Sequence, residues 1–105
     1  MRKFLRGKIQ NVKVTGIDLS CSGSVRVDPY LMNAAGMVEY EAVLVSHQQS
    51  GQRFESYLLA GKPGSSECTL LGPSARLAEI GDELVIMTFE YTTGEKPSPK
   101  RFLTS

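Results

Sequence analysis

The sequence predicts an all-β domain, a closed barrel carrying two short helices. Short β-rich runs follow one another along most of the chain, separated by the turn signals HQQSGQ, GKPGSS and TTGEKP. Two stretches read as short helices instead. Each helix also heads a similar unit. AAGMVEYEAVLV and AEIGDELVIM both run from a helix through glycine and an acidic turn into a strand, which reads as a weak internal duplication. A closed sheet accommodates such a repeat without leaving exposed edges.

Taken in order, KIQNVKV and SVRV alternate apolar and polar residues as half-buried strands do. Asp28 can cap a helix that has Pro29 in its first turn, runs through YLMNAAG and stops at Gly36. EAVLVSH, RFESYLLA and CTLL follow as strands rich in β-branched and aromatic residues. Gly72-Pro73-Ser74 can open a second helix through ARLAEIG, ended by Gly81, and ELVIMTFEY is the last strong strand. The terminal EKPSPKRFLTS, rich in proline and lysine, reads as a loosely held tail.

Residues 1–105 read as a single domain, with 41% hydrophobic and 22% charged residues and a formal net charge of +1. So balanced a charge gives no reason to expect nucleic acid or a membrane as partner. The basic start MRKFLRGKIQNVKV has no continuous apolar segment after it, and a cytoplasmic location is the default expectation. His47 is the single histidine, so no His-rich metal site is expected; at the end of an apolar run it reads as a solvated strand-end residue. Cys21 and Cys68 would pair only if the fold brought them together. No phosphate-binding glycine loop, CxxC or HExxH is present.

Reactivity must therefore come from another source, and the stretch LSCSGSVRVD offers one. Gly23-Ser24 lies hard against the start of a strand. A plain turn is one reading; attack by the Ser24 hydroxyl on the carbonyl of Gly23 is the other.

Four segments in register carry a resemblance: LRGKIQNVKVTGIDL, SGSVRVDPYLMNAAGMVEYEAVLV, SGQRFESYLLAGKPGS and LLGPSARLAEIGDELVIM. Over nearly its full length the chain resembles the pyruvoyl-dependent aspartate 1-decarboxylases. The resemblance implies a double-psi β-barrel and a homotetramer with active sites built between adjacent subunits, and leaves room for a maturation partner. It implies a precursor that cuts itself between Gly23 and Ser24 into chains 1–23 and 24–105. Ser24 then becomes a covalent pyruvoyl group, the electrophile that forms a Schiff base with L-aspartate and accepts electrons as carbon dioxide leaves. The product is β-alanine, a precursor of pantothenate.

The same resemblance assigns supporting roles. Lys8 serves processing or grips a substrate carboxylate, and Arg53 grips a carboxylate through its two parallel donors. Tyr57, on the same strand face as Arg53, donates a proton to the intermediate. Ser56, standing where threonine is usual, stabilises the oxyanion of cleavage. Gly72, Pro73 and Ser74 form a substrate-holding loop with backbone N–H groups at a helix start. Each also has an ordinary structural reading: exposed strand lysine, solvated arginine, half-buried aromatic, helix start. Cys21 reads as incidental, because nothing in the sequence places a base beside it.

Leu71 departs from the pattern where the family motif carries asparagine, as do Gln10 for histidine, Ser46 for tryptophan and Cys21 for tyrosine. A leucine cannot hydrogen-bond to a nearby carbonyl. Two alternatives follow: a related decarboxylase acting on another amino acid, and an uncleaved barrel serving as a binding or regulatory module.

Overall fold

The computed structural model describes residues 1–21, 23–95 and 101–105. Among the described residues eight strands run in the order β1 (Arg2–Lys13), β2 (Gly16–Asp18), β3 (Ser24–Val27), β4 (Ala42–His47), β5 (Arg53–Ala60), β6 (Cys68–Leu71), β7 (Glu83–Thr92) and β8 (Arg101–Thr104). Helix α1 (Pro29–Ala34) follows β3, and a 3₁₀ helix (Gly72–Leu77) follows β6. The hydrogen-bonded order across the sheet is β2-β6-β3-β5-β4-β7-β1-β8.

That order closes on itself. Only Val14 and Thr15 separate β1 from β2, so the two form one continuous path that borders β7 at one end and β6 at the other. The link is bonded on both sides: the Val14 N–H donates to the Asp82 carbonyl at 2.9 Å, and the Thr15 N–H to the Cys68 carbonyl at 2.8 Å. The result is a six-strand ring with β8 laid outside it, parallel to β1. The all-β barrel with two short helices is therefore as expected.

The ring also displays the duplication. β1/β2 pairs parallel with β6 and antiparallel with β7, while β5 pairs parallel with β3 and antiparallel with β4. Exchanging β1/β2 with β5, β3 with β6 and β4 with β7 returns the same ring, since β3–β6 and β4–β7 are both antiparallel. Each half is thus strand, strand, short helix, strand.

Alternation sorts the side chains. Ile9, Val25, Val27, Val45, Leu58, Leu70, Leu84 and Ile86 point inward and have no exposed surface. Each such side chain contributes roughly 1.5–3 kcal/mol on burial. Two polar devices hold the ends of the core. Glu41 bridges the Arg6 guanidinium and the Thr88 hydroxyl, and also accepts from the Val38 N–H at 3.1 Å. Burial pushes the Glu41 carboxyl up, but these donors outweigh it and hold the group below its ordinary range. Asp28 caps α1 as expected, accepting from the Tyr30 N–H at 2.9 Å, and it also ties down the distant 64–66 loop through Gly64 N–H (3.0 Å) and Ser66 N–H (2.8 Å).

Three expectations are revised. The second helix is shorter than its pattern and tighter: it ends at Leu77, Ala78 is extended, and the Glu79 N–H turns back to the Asp82 carboxylate at 3.0 Å. His47 is buried rather than solvated, because its ring bridges the Ser50 hydroxyl (2.6 Å) and the Asp82 carboxylate (2.7 Å) from separate loops. The end of the chain is no loose tail where it is described: Arg101–Thr104 is a strand, while residues 96–100 lie outside the described residues. Cys68 is buried and free, with its thiol pushed up to about 12 by desolvation and then by Glu67; Cys21 is exposed and free. Among the described residues no helix is long and apolar enough to cross a membrane, and no cluster of three or more His, Cys, Asp or Glu is placed to hold a metal.

Burial acts to raise the Asp28 carboxyl, but its three N–H donors overcome that and leave it below the ordinary value of 3.8. A carboxyl depressed on folding stabilises the protein above its unfolded value, and the contribution is lost as pH falls through the folded value. Asp28→Asn should therefore lower the urea midpoint at neutral pH, and the gap to wild type should close as pH drops below 3.8. A gap that does not change with pH would contradict this role.

Candidate active site

The seam between β3, β5 and β6 carries the residues of interest. Val25 pairs with both Leu70 and Leu58, and all three face the core. Alternation then turns Ser24 to the outer face of the wall, together with its register partner Leu71 on β6 and with Arg53, Glu55 and Tyr57 on β5. Asp18 on β2 pairs with Leu71 on its other side, so Asp18, Leu71 and Ser24 form one row across three strands.

A gap in the pairing makes the cleft. β3 covers β5 only over Leu58–Ala60, so the preceding β5 residues have no β3 partner. The His47 N–H donates to the Gln52 carbonyl at 2.8 Å and the Leu58 N–H to the Glu41 carbonyl at 3.0 Å, which sets the phase of the β4–β5 ladder. By that phase Phe54 and Ser56 spend their backbone groups on β4, while Glu55 turns its own toward the open edge. The 3₁₀ helix stands across this edge. Between them lies a cleft of about 420 Å³, walled by Gly23, Ser24, Phe54, Glu55, Ser56, Tyr57, Pro73, Ser74 and Leu77. Six of the residues expected from sequence thus meet here: Gly23, Ser24, Ser56, Tyr57, Pro73 and Ser74. Among the described residues the hydroxyls of Ser24, Ser56 and Tyr57 make no hydrogen bond, so none is committed to structure.

Gly72 belongs to the site by contact. A Cβ on Gly72 would fall 2.6 Å from the Gly23 nitrogen, 2.7 Å from the Gly23 Cα and 2.8 Å from the Cys21 carbonyl oxygen. All three are backbone atoms that cannot swing aside. The Cys21 and Gly23 backbone therefore lies directly on the β6 end because residue 72 has no side chain. Gly23 itself sits at φ +126, a conformation L side chains rarely adopt, with Pro73 packed beside it. The other end of the loop is anchored at Asp18. Its carboxylate accepts from the Ser20 hydroxyl at 2.5 Å and the Ser20 N–H at 3.0 Å, then from the Cys21 thiol, and these bonds hold it below its ordinary range. Ser24 is 2% exposed and Tyr57 39%, so the cleft runs from a shielded hydroxyl out to an open phenol.

Two expected residues stand apart. Arg53 shares the outer face with Tyr57 but lies at the exposed start of β5, outside the cleft wall. Lys8 is on β1, where it pairs with Met87 and Phe102, and it does not line the cleft. The substrate-loop expectation also narrows, because Pro73 has no N–H and only Gly72 and Ser74 could donate. Ser74 also turns its hydroxyl back to the Leu71 carbonyl at 3.3 Å. Glu55, Phe54 and Leu77 were not singled out from sequence. Glu55 could have been, since it stands midway between Arg53 and Tyr57 at the strand period.

Comparison with known proteins decides the family. A model of the aspartate decarboxylase family matches residues 1–102.

The chain belongs to the aspartate decarboxylase family.

Among its relatives, an aspartate 1-decarboxylase of Pseudothermotoga lettingae is 41% identical over 101 residues, covering 95% of this chain and 88% of the relative. One from Chlorobium chlorochromatii is 47% identical over 86 residues, 82% of this chain and 67% of the relative. A third, from Prosthecochloris aestuarii, is 45% identical over 93 residues, 89% and 72% of the two chains. Family membership thus spans both halves of the ring and the whole Ser24 cleft.

The backbone contact at Gly72 can be isolated by substitution. Gly51 also has a positive φ, +75, yet nothing lies within 4 Å of where its Cβ would sit. Gly51→Ala should cost about 1–2 kcal/mol of unfolding free energy, the strain of a left-handed conformation alone. Gly72→Ala, at φ +77, should cost about 1–3 kcal/mol more, because the backbone of Cys21 and Gly23 must also move. Equal losses in urea titrations would show that the loop does not rest on Gly72.

Proposed function

We propose that this chain is a self-processing decarboxylase that converts L-aspartate to β-alanine and carbon dioxide, through a pyruvoyl group made from Ser24. The observation that carries the reading is the single cleft that Gly23, Ser24, Ser56 and Tyr57 line together. Family membership supports it, since the relatives above bear the name aspartate 1-decarboxylase.

Processing uses this chain's own atoms. Ser24 Oγ attacks the Gly23 carbonyl carbon, and the amide becomes an ester as the Ser24 nitrogen is released as an amine. Gly23 at φ +126 presents that carbonyl in a conformation other residues resist, and the loop is braced at Gly72 and Asp18. Ser56 lines the same cleft, and its hydroxyl is the group this reading assigns to the developing oxyanion. Loss of the Ser24 α-proton and expulsion of the Gly23 carboxylate leave a dehydroalanine. Water then enters and ammonia leaves, giving a ketone at the new start of chain 24–105, with 1–23 as the smaller fragment.

The site suits such a ketone. Ser24 is shielded from solvent yet forms part of the cleft wall, with room for a small amino acid in front of it. A ketone there supplies an electrophile and electron sink that standard side chains lack. The protein's share is then to bind and to move a proton. Tyr57, one strand over on the same face, is the proton donor to the α-carbon. Ser74 in the cleft wall and Gly72 against the Gly23 backbone are the N–H donors assigned to substrate, and Arg53 on the outer face of β5 is its carboxylate partner. Lys8 is not part of the wall around its own Ser24, and the reading takes the site as completed by the Lys8 of an adjacent copy in a homotetramer. The reading leaves room for a maturation factor.

A second reading keeps the chemistry and changes the amino acid. Leu71, buried beside Ser24 where the family motif carries asparagine, motivates it by making that wall apolar. A panel of amino acids separates the two: turnover of L-aspartate should exceed that of every other acid tested.

Ser24→Ala should yield a folded chain with no β-alanine production, because no ketone can form. Tyr57→Phe should still be cleaved but release β-alanine roughly 10²–10⁴-fold more slowly, the usual worth of a positioned proton donor. Undiminished product from Ser24→Ala would end the proposal, and a Tyr57→Phe rate equal to wild type would remove the assignment of Tyr57.

A further inference from the structure

The last strand gives Lys8 a companion that the sequence did not anticipate. β8 runs parallel to β1 with Gly7, Lys8, Ile9 and Gln10 in register with Arg101, Phe102, Leu103 and Thr104. Leu103 packs against the core beside Ile9, the Arg101 stem lies over Gly36, and the Ser105 N–H donates to the Gln10 carbonyl at 2.9 Å. With those neighbours anchored, alternation turns Phe102 outward on the same face as Lys8. The Lys8 Nζ sits 5.9 Å from the centroid of the Phe102 ring, within the range of a cation–π contact. Phe102 remains 58% exposed, so its ring faces Lys8 on one side and open space elsewhere.

Among the described residues Lys8 makes no salt bridge. An aromatic ring differs from a carboxylate as a partner: it attracts the ammonium without cancelling its charge. It also restricts a side chain with otherwise large rotamer freedom. A lysine held this way keeps donors and full charge for an incoming anion.

We propose that Phe102 is a positioning residue that holds the Lys8 ammonium ready for a substrate carboxylate, making β8 a working part of the binding site. This rests on the reading of Lys8 as a carboxylate contact. The strand fixes the ring, the ring fixes the ammonium, and the ammonium meets a small dicarboxylic acid such as L-aspartate.

The test uses the full-length, processed protein, with rates expressed per cleaved chain, and compares Phe102→Leu, Phe102→Tyr, Lys8→Gln and the Lys8→Gln/Phe102→Leu double variant. Succinate, a dicarboxylate without an amine, provides a binding readout by calorimetry. Phe102→Leu should raise the KM for L-aspartate and the Kd for succinate roughly two- to five-fold while kcat stays within about two-fold. Phe102→Tyr, which keeps the ring, should restore both constants, and Phe102→Leu should add nothing once Lys8 is glutamine. If Lys8→Gln weakens binding but Phe102→Leu does not, or if Phe102→Leu is equally harmful without the lysine, the proposal for Phe102 is overturned. If Lys8→Gln itself changes neither constant, the assignment of Lys8 fails first and that of Phe102 with it.

Discussion

Two glycine backbones in contact are the constraint on which this site depends. β6 ends at Leu71, and the backbone of Cys21 and Gly23 crosses the next residue, Gly72, so closely that no side chain fits between them. That approach fixes where the Gly23–Ser24 bond lies, which in turn places the Ser24 side chain on the outer face beside Leu71 and Tyr57. Asp18 holds the far end of the same loop through Ser20 and Cys21. The bond is thus clamped by backbone packing on one side and a charged turn on the other.

The ring symmetry explains why a cleft exists at this point. β3 and β6 are equivalent strands of the two halves, paired antiparallel near the centre of the duplication. Each also pairs in parallel with the opening strand of the other half, and both parallel pairings are short: three residues for β3–β5 and three for β2–β6. A short parallel ladder leaves part of β5 without a neighbour, and the 3₁₀ helix approaches that bare edge. Closure of the barrel supplies rigidity, while the unfinished ladder supplies access to Ser24.

Much of this was legible in the sequence because it is local. SVRV, RFESYLLA and CTLL announce themselves by composition, Asp28-Pro29 by helix-start chemistry, and Gly23-Ser24 by its position against a strand. What escaped is long-range. β8 has only four residues and takes its order from β1, more than ninety positions earlier in the chain. His47 looked like a solvated residue until Asp82, thirty-five positions away, came to bond its ring. The second helix followed its apolar pattern on paper, yet Ala78 is extended and Asp82 captures the Glu79 N–H. Within the site, Ser56, Tyr57 and the 72–74 turn were found by family pattern. The role of Gly72 as a seat for the loop required coordinates, because it depends on an atom that glycine lacks.

Intact-mass spectrometry of the purified wild-type chain, sampled over a long incubation, tests most directly whether this clamped bond is meant to break. The account predicts two fragments divided between Gly23 and Ser24, the larger beginning with a ketone in place of an amine. A single unbroken chain that persists, even with a cell extract supplied to provide a maturation partner, would contradict it.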